Sequence, residues 1–119
     1  MMQEVVKERL REAGIDVSGA LERFMGNEDL LERFLKKFLN DSNYEKLMTA
    51  IEEGNQEDAL TAAHTLKGVT GNLAMTELFD LLTSQVSAFR NDNWDEAVKL
   101  MPAISQSHER LVSAISGME

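Results

Sequence analysis

Cysteine is absent from the chain, proline occurs once, and aromatic residues make up only 6% of it. Without cysteine there is no disulfide framework and no thiolate metal site, which suits a reducing cytosol. A single proline, with the seven glycines acting as punctuation, favours helices over strands. Scarce aromatics leave the core to Leu, Val, Ile, Ala and Met. No apolar run approaches the ~20 residues of a membrane span, and the N-terminus lacks the apolar stretch of a signal peptide. Positive charge is short as well. The net charge of −9 argues against nucleic acid, whose phosphates need clustered Lys and Arg, and against anionic membranes. What is left is a cytoplasmic protein that binds other proteins, expected to be monomeric and most simply one domain over its 119 residues.

Helical periodicity is plentiful. Met2, Val5, Val6 and Leu10 predict a short helix over 2–13 that ends at Gly14. Asp16 is the N-cap of a second, with Leu21, Phe24 and Met25 as its apolar face, and Gly26 breaks it. Asn27 caps the next helix. Leu30, Leu31, Phe34, Leu35, Phe38 and Leu39 form a strong 3–4 pattern, and Tyr44, Leu47, Met48 and Ile51 form another. Residues 28–53 are therefore two helices, or one bent near Ser42. Gly54 and Asn55 pair a C-cap with a new N-cap and open a helix over 56–72. Another starts near Thr76 and finishes near Arg90, with Leu78, Leu82, Val86 and Phe89 inward. Asn93 and Glu96 make a capping box. The last pattern, from Val98 to Ile115, contains Pro102, which predicts a kink or a break there, and Gly117 ends it. The fold class is all-α. Helices of this length on short turns pack most simply as an antiparallel four-helix bundle over 28–117, with short additional helices in 1–26.

One stretch of the 56–72 helix stands apart, because it carries two glycines that no helix interior selects for stability. On a wheel at ~100° per residue with His64 at zero, Ala59, Ala63, Leu66, Thr70 and Leu73 fall between roughly 180° and 260°. His64 points the opposite way, with Lys67 and Gly71 to one side and Gly68 to the other. Each glycine costs a helix interior ~1 kcal/mol relative to alanine. Two of them beside one exposed histidine imply that something approaches closely.

A neutral imidazole is a good nucleophile toward an activated phosphoryl group, and its nitrogen is also a good leaving group. A histidine with both duties needs access and a donor for the phosphate charge. Lys67, one turn on, supplies a charge-assisted hydrogen bond, and Gly68 and Gly71 leave room for a partner's active-site loops. Leu60 lies near the same face. With Met75 and Phe79 it either forms an exposed apolar patch that docks a partner or packs against the next helix. Gln85 either faces the histidine's helix within reach of a phosphate or supports packing. His108 is read as a surface residue, and Glu52, Glu53, Glu57 and Asp58 as helix-end charges rather than a metal site.

Ala62-Ala63-His64-Thr65-Leu66-Lys67-Gly68, together with Gly71-Asn72-Leu73, resembles the signature of histidine-containing phosphotransfer (HPt) domains. The resemblance covers most of the chain: Ile15-Asp16, Ala20-Leu21 and Phe24, then Asp29-Leu30-Leu31 and Phe38, are similar to that family's opening helices. Ile51-Glu52-Glu53-Gly54-Asn55 is similar to its turn before the active helix, and Arg90 with Asp92 to the close of the next. The resemblance implies a four-helix bundle with His64 phosphorylated, Lys67 stabilising the phosphate and Gly68 giving access. It also implies a phosphorelay carrier in multistep two-component signalling that has no kinase activity of its own. Its partners are then receiver domains, one of a hybrid sensor histidine kinase and one of a response regulator. The magnesium used in transfer belongs to the receiver, so no cofactor or metal is expected here. The Met at position 1 fits a free-standing carrier.

Two departures from the family pattern stand out. Ala74 occupies the place after Leu73 where the family most often has glycine, and alanine resists a left-handed C-cap. Gln85-Val86 replaces a Leu-Glu pair. The rival reading is a helical adaptor that docks receiver-like partners without phosphorylation, although a docking module has no need of a nucleophile. A kinase is disfavoured by the lack of a nucleotide-binding glycine loop or an acidic metal site.

Overall fold

Short polar side chains set where the helices begin. Asp16, Asn27, Asn55 and Asn93 each accept the backbone N–H three residues on, from Gly19, Leu30, Asp58 and Glu96, at 3.1, 3.0, 3.0 and 3.2 Å. These bonds satisfy donors that the first turn of any helix leaves open. In the computed structural model, which describes residues 2–118, the helices are α1 (Glu4–Glu12), α2 (Val17–Arg23), α3 (Glu28–Phe38), α4 (Asn43–Glu52), α5 (Gln56–Asn72), α6 (Thr76–Arg90), α7 (Trp94–Lys99) and α8 (Met101–Ser116). The described residues are all-helical, without strands.

Helix ends obey a second local rule. After α1 and α4 the chain turns through Gly14 (φ +96°) and Gly54 (φ +68°), residues without a Cβ to clash. After α2, α5 and α6 the same turn is made by Met25, Ala74 and Asp92, at φ 56°, 53° and 54°. In each case the next N–H reaches back to close the last helical turn, as in Ile15 to Leu10 (3.0 Å) and Met75 to Thr70 (2.9 Å). Met25, expected on the apolar face of the second helix, is a correction. Because α2 stops at Arg23 and Met25 takes the left-handed turn, its side chain is 93% exposed.

Two joints left open by the periodicity are resolved by backbone chemistry. Residues 28–53 are two helices, and Asp41 Oδ1 accepts the N–H of Asn43 at 2.9 Å where the second begins. Pro102 lies in the first turn of α8, where its missing N–H removes no helical bond, so the chain breaks between α7 and α8.

A hydrophobic core runs from Met2 to Met118. Within it α5 packs between α4 and α6, α6 packs on α7 and α8, and α8 also meets α1 and α3. Leu47, Leu66, Leu78, Leu82, Ile104 and Leu111 are completely buried. Ala59 and Ala63 on α5 are buried too, and their small side chains let the neighbouring helices come close. At the N-terminal end, the Glu28 carboxylate receives Lys7 Nζ at 2.9 Å and the Met2 N–H at 2.8 Å. Those two donors, Lys7 first, hold the Glu28 carboxyl below its usual pKa.

Candidate functional site

Helix α5 is anchored on one side and bare on the other. Ala59, Ala63, Leu66 and Thr70 are completely buried and Leu73 nearly so, which leaves the opposite face of the helix to solvent. His64 stands on that bare face, exposed. Among the described residues no hydrogen bond or ion pair engages its imidazole. The neighbouring hydroxyls are occupied within the helix: Thr61 donates to the Glu57 carbonyl at 3.0 Å and Thr65 to the Thr61 carbonyl at 2.9 Å. A helix buried along its opposite face thus presents a ring whose nitrogens have no competing partner among the described residues.

The surroundings of the ring differ on its two sides. A Cβ added at Gly68 would meet nothing within 4 Å, so the space beside His64 there is open. Gly71 is different. A Cβ there would lie 3.0 Å from Phe79 Cε1 and 3.1 Å from Cδ1, so the hollow left by this glycine is filled by the protein's own α6. The expectation that Gly71 gives a partner access is corrected accordingly. Lys67, half-buried, places its Nζ 5.9 Å from the centroid of the same Phe79 ring, and among the described residues no carboxylate pairs with it. On the Gly68 side of His64 a surface cleft of about 620 Å³ runs between the packed helices α4 and α5, lined by Lys46, Thr49, Thr61 and Thr65 among others.

The end of α5 is built against its sequence. Ala74 adopts the left-handed conformation that alanine resists, at a cost of about 1–2 kcal/mol. Hydrogen bonds hold it there: its own N–H reaches the Gly71 carbonyl (3.2 Å), and its carbonyl accepts the Asp16 N–H (2.9 Å). The next residues are tied to the same turn, with Thr76 Oγ1 donating to the Gly14 carbonyl at 3.3 Å. The departure from glycine is therefore accommodated by tertiary contact, and α5 ends where the periodicity placed its end.

Three proposed contact residues fall elsewhere. Met75 is completely buried beneath the α5–α6 turn, so it is not part of an exposed docking patch. Gln85 is also completely buried, and its Nε2 donates to the Ala97 carbonyl at 3.0 Å and to Met101 Sδ at 3.2 Å. It faces the α7–α8 junction and supports packing rather than reaching a phosphate or a partner. Leu60 is half-buried and packed against the core, the packing alternative of its two readings. A stripe signal was available for both buried residues. Met75, Leu78, Leu82, Gln85 and Phe89 recur at alternating spacings of three and four, one inward line on α6.

His108 is a further correction. Expected on the surface, it is half-buried and stacked on Tyr44 with centroids 4.0 Å apart and planes 8° apart, and it lies 5.6 Å from the Phe38 ring. Tyr44 in turn donates its hydroxyl to Ser105 Oγ at 2.7 Å. Burial pushes the His108 pKa below its ordinary value, against the opposing pull of Glu45 and Asp41.

Among the described residues no three His, Cys, Asp or Glu side chains converge as a metal site would require, and no helix is long and apolar enough to cross a membrane. No family model, curated protein or solved structure matches the chain.

Proposed function

We propose that this protein is a histidine phosphocarrier: His64 accepts a phosphoryl group from the phospho-aspartate of one receiver domain and passes it to the aspartate of another. The observation that carries this reading is the exposed, unengaged His64 ring on a helix whose opposite face is sealed in the core. Such a ring can be approached by a second protein without unfolding anything, and its helix holds it still while the reacting atoms align.

In the first transfer, the lone pair of a neutral His64 ring nitrogen attacks phosphorus. The N–P bond forms as the acyl O–P bond breaks, and the donor carboxylate leaves with its electron pair. The proton on the other ring nitrogen stays in place. In the second transfer, a carboxylate oxygen of the acceptor attacks, the new O–P bond forms, and the electron pair of the N–P bond returns to the ring nitrogen. Lys67 stabilises the charge on the phosphoryl oxygens. Gly68 keeps the approach clear for the receiver's active-site loops. Magnesium acts on the receiver, and this chain supplies no kinase chemistry and no cofactor.

The same reading makes the donor a hybrid sensor histidine kinase, the acceptor a response regulator, the compartment the cytoplasm and the working form a monomer. It also takes the helices as an antiparallel four-helix bundle of α4, α5, α6 and α8, with α3 against α8 and α1 and α2 as additions. The acidic net charge of −9 suits protein partners rather than nucleic acid or anionic lipid.

The test is incubation with a receiver domain carrying radiolabelled phosphate. Acid-labile, base-stable label should move to the protein, and the His64→Gln variant should take up none. Undiminished labelling of that variant rejects the assignment. Receiver binding that needs no His64 and transfers no label would instead favour a helical adaptor.

A further inference from the structure

We infer that Phe79 is a positioning residue for Lys67, and that position 71 is glycine because this ring must sit there. The chemical consequence rests on the phosphocarrier reading of His64, but the geometry does not depend on it.

Two helices bring three residues together. Lys67 and Gly71 are four apart on α5, so they lie one above the other on the same side of the helix. Phe79, in the first turn of α6, lays its ring against Gly71, so close that an added methyl group would require the ring to give by a few tenths of an ångström. The ring therefore lies flush with α5, next to the place where the Lys67 side chain runs. Lys67 Nζ stands 5.9 Å from the ring centroid, at the outer edge of the range over which an aromatic face attracts an ammonium.

An unrestrained lysine on a helix surface samples many rotamers, most of them pointing away from its neighbours. A ring within reach of its ammonium removes part of that freedom and favours the rotamers on the α6 side of His64. The kind of holder matters. A carboxylate would restrain the ammonium equally well, but it would neutralise its charge and occupy its donors. An aromatic face does neither, so the ammonium N–H groups remain for phosphoryl oxygens. Among the described residues no acid competes for Lys67, which fits that arrangement. Gly71 and Phe79 thus form a socket and a platform, and Gly68, with open space around it, has the separate role of access.

Two measurements decide this. In proton NMR spectra of the whole protein, the Lys67 δ and ε methylene signals should be shifted upfield by the ring current of Phe79. The shift should vanish in Phe79→Leu, change in Gly71→Ala, where the ring must give by a few tenths of an ångström, and persist in Phe79→Tyr. Absence of an upfield shift in the unmodified protein overturns the inference. The second measurement is the rate of His64 labelling by potassium phosphoramidate. Phe79→Leu should slow it by about two- to fivefold, the rate equivalent of one weak cation–π contact. In the Lys67→Ala background, Phe79→Leu should have no further effect, because its action runs through the lysine. An equal slowing in both backgrounds shows a merely structural role and rejects the proposal. Should the unmodified protein take no label at all, the phosphocarrier reading fails while the NMR shift still decides whether Phe79 holds Lys67.

Discussion

The two histidines of this chain stand in opposite surroundings, and the contrast explains why only one is a candidate for chemistry. His64, on α5, has its ring in solvent and an open space beside it at Gly68. His108, on α8, is stacked on Tyr44 of α4 and tilted against Phe38 of α3, so that it acts as a joint between three helices. Around the first, atoms have been left out; around the second, they have been packed in. A nucleophile needs a lone pair that a second protein can reach, whereas a packing residue needs contact area. The same side chain serves either need, and its neighbours decide which.

Four outcomes would test this contrast. The largest is all-or-none: His64→Gln abolishes phosphorylation while shifting the thermal unfolding midpoint by no more than about 2 °C, as expected for an exposed position without partners. Loss of stability comparable to a core substitution would show that His64 is structural after all. Next in size, His108→Ala should destabilise by about 2 kcal/mol in urea unfolding, since it removes an aromatic stack and leaves a hollow, yet His64 should still be labelled. Smaller and of opposite sign, Gly68→Ala should stabilise by about 0.5–1 kcal/mol, because its methyl group meets nothing and helix propensity improves. The same substitution should slow transfer from a receiver, separating stability from access.

The smallest effect is a pH dependence. Burial lowers the His108 pKa in the folded state, so folding favours the neutral ring. Its contribution is complete above the ordinary histidine value and is lost as pH falls below about 6.5 toward the lowered one. Glu45 and Asp41 oppose the shift. Thermal midpoints measured between neutral and mildly acidic pH should therefore fall more steeply for the unmodified protein than for His108→Leu. Equal slopes would remove His108 from this role. No comparable dependence is expected to trace to Glu28, whose lowered pKa places its loss at more acidic pH.

What could be read from the sequence was local. The N-caps at Asp16, Asn27, Asn55 and Asn93 act within three residues of themselves, so the helix starts they mark were legible, and the span of the His64 helix agrees with the structure. The buried stripe of α5 and the exposure of His64 come from one helix's geometry alone. What escaped depended on a second helix. Nothing within four residues of His108 announces Tyr44 or Phe38, which arrive from α4 and α3. Gly71 reads as vacant space until α6 delivers Phe79 into it. Ala74 reads as a flaw in the turn until the Asp16 N–H from the α1–α2 turn is found on its carbonyl. Met75 and Gln85 are a different case, because a spacing of three and four through Leu78 and Leu82 already points both inward, and packing support was one of the two roles open to Gln85.

The functional reading stands or falls on His64, and not His108, being the phosphoacceptor. Treating the folded protein with potassium phosphoramidate at neutral pH and locating the modification by peptide mass spectrometry decides between them. A single added phosphoryl group on the peptide containing His64, with none on the peptide containing His108, is the predicted result. Modification of both histidines at equal rates, of His108 alone, or of neither would contradict it.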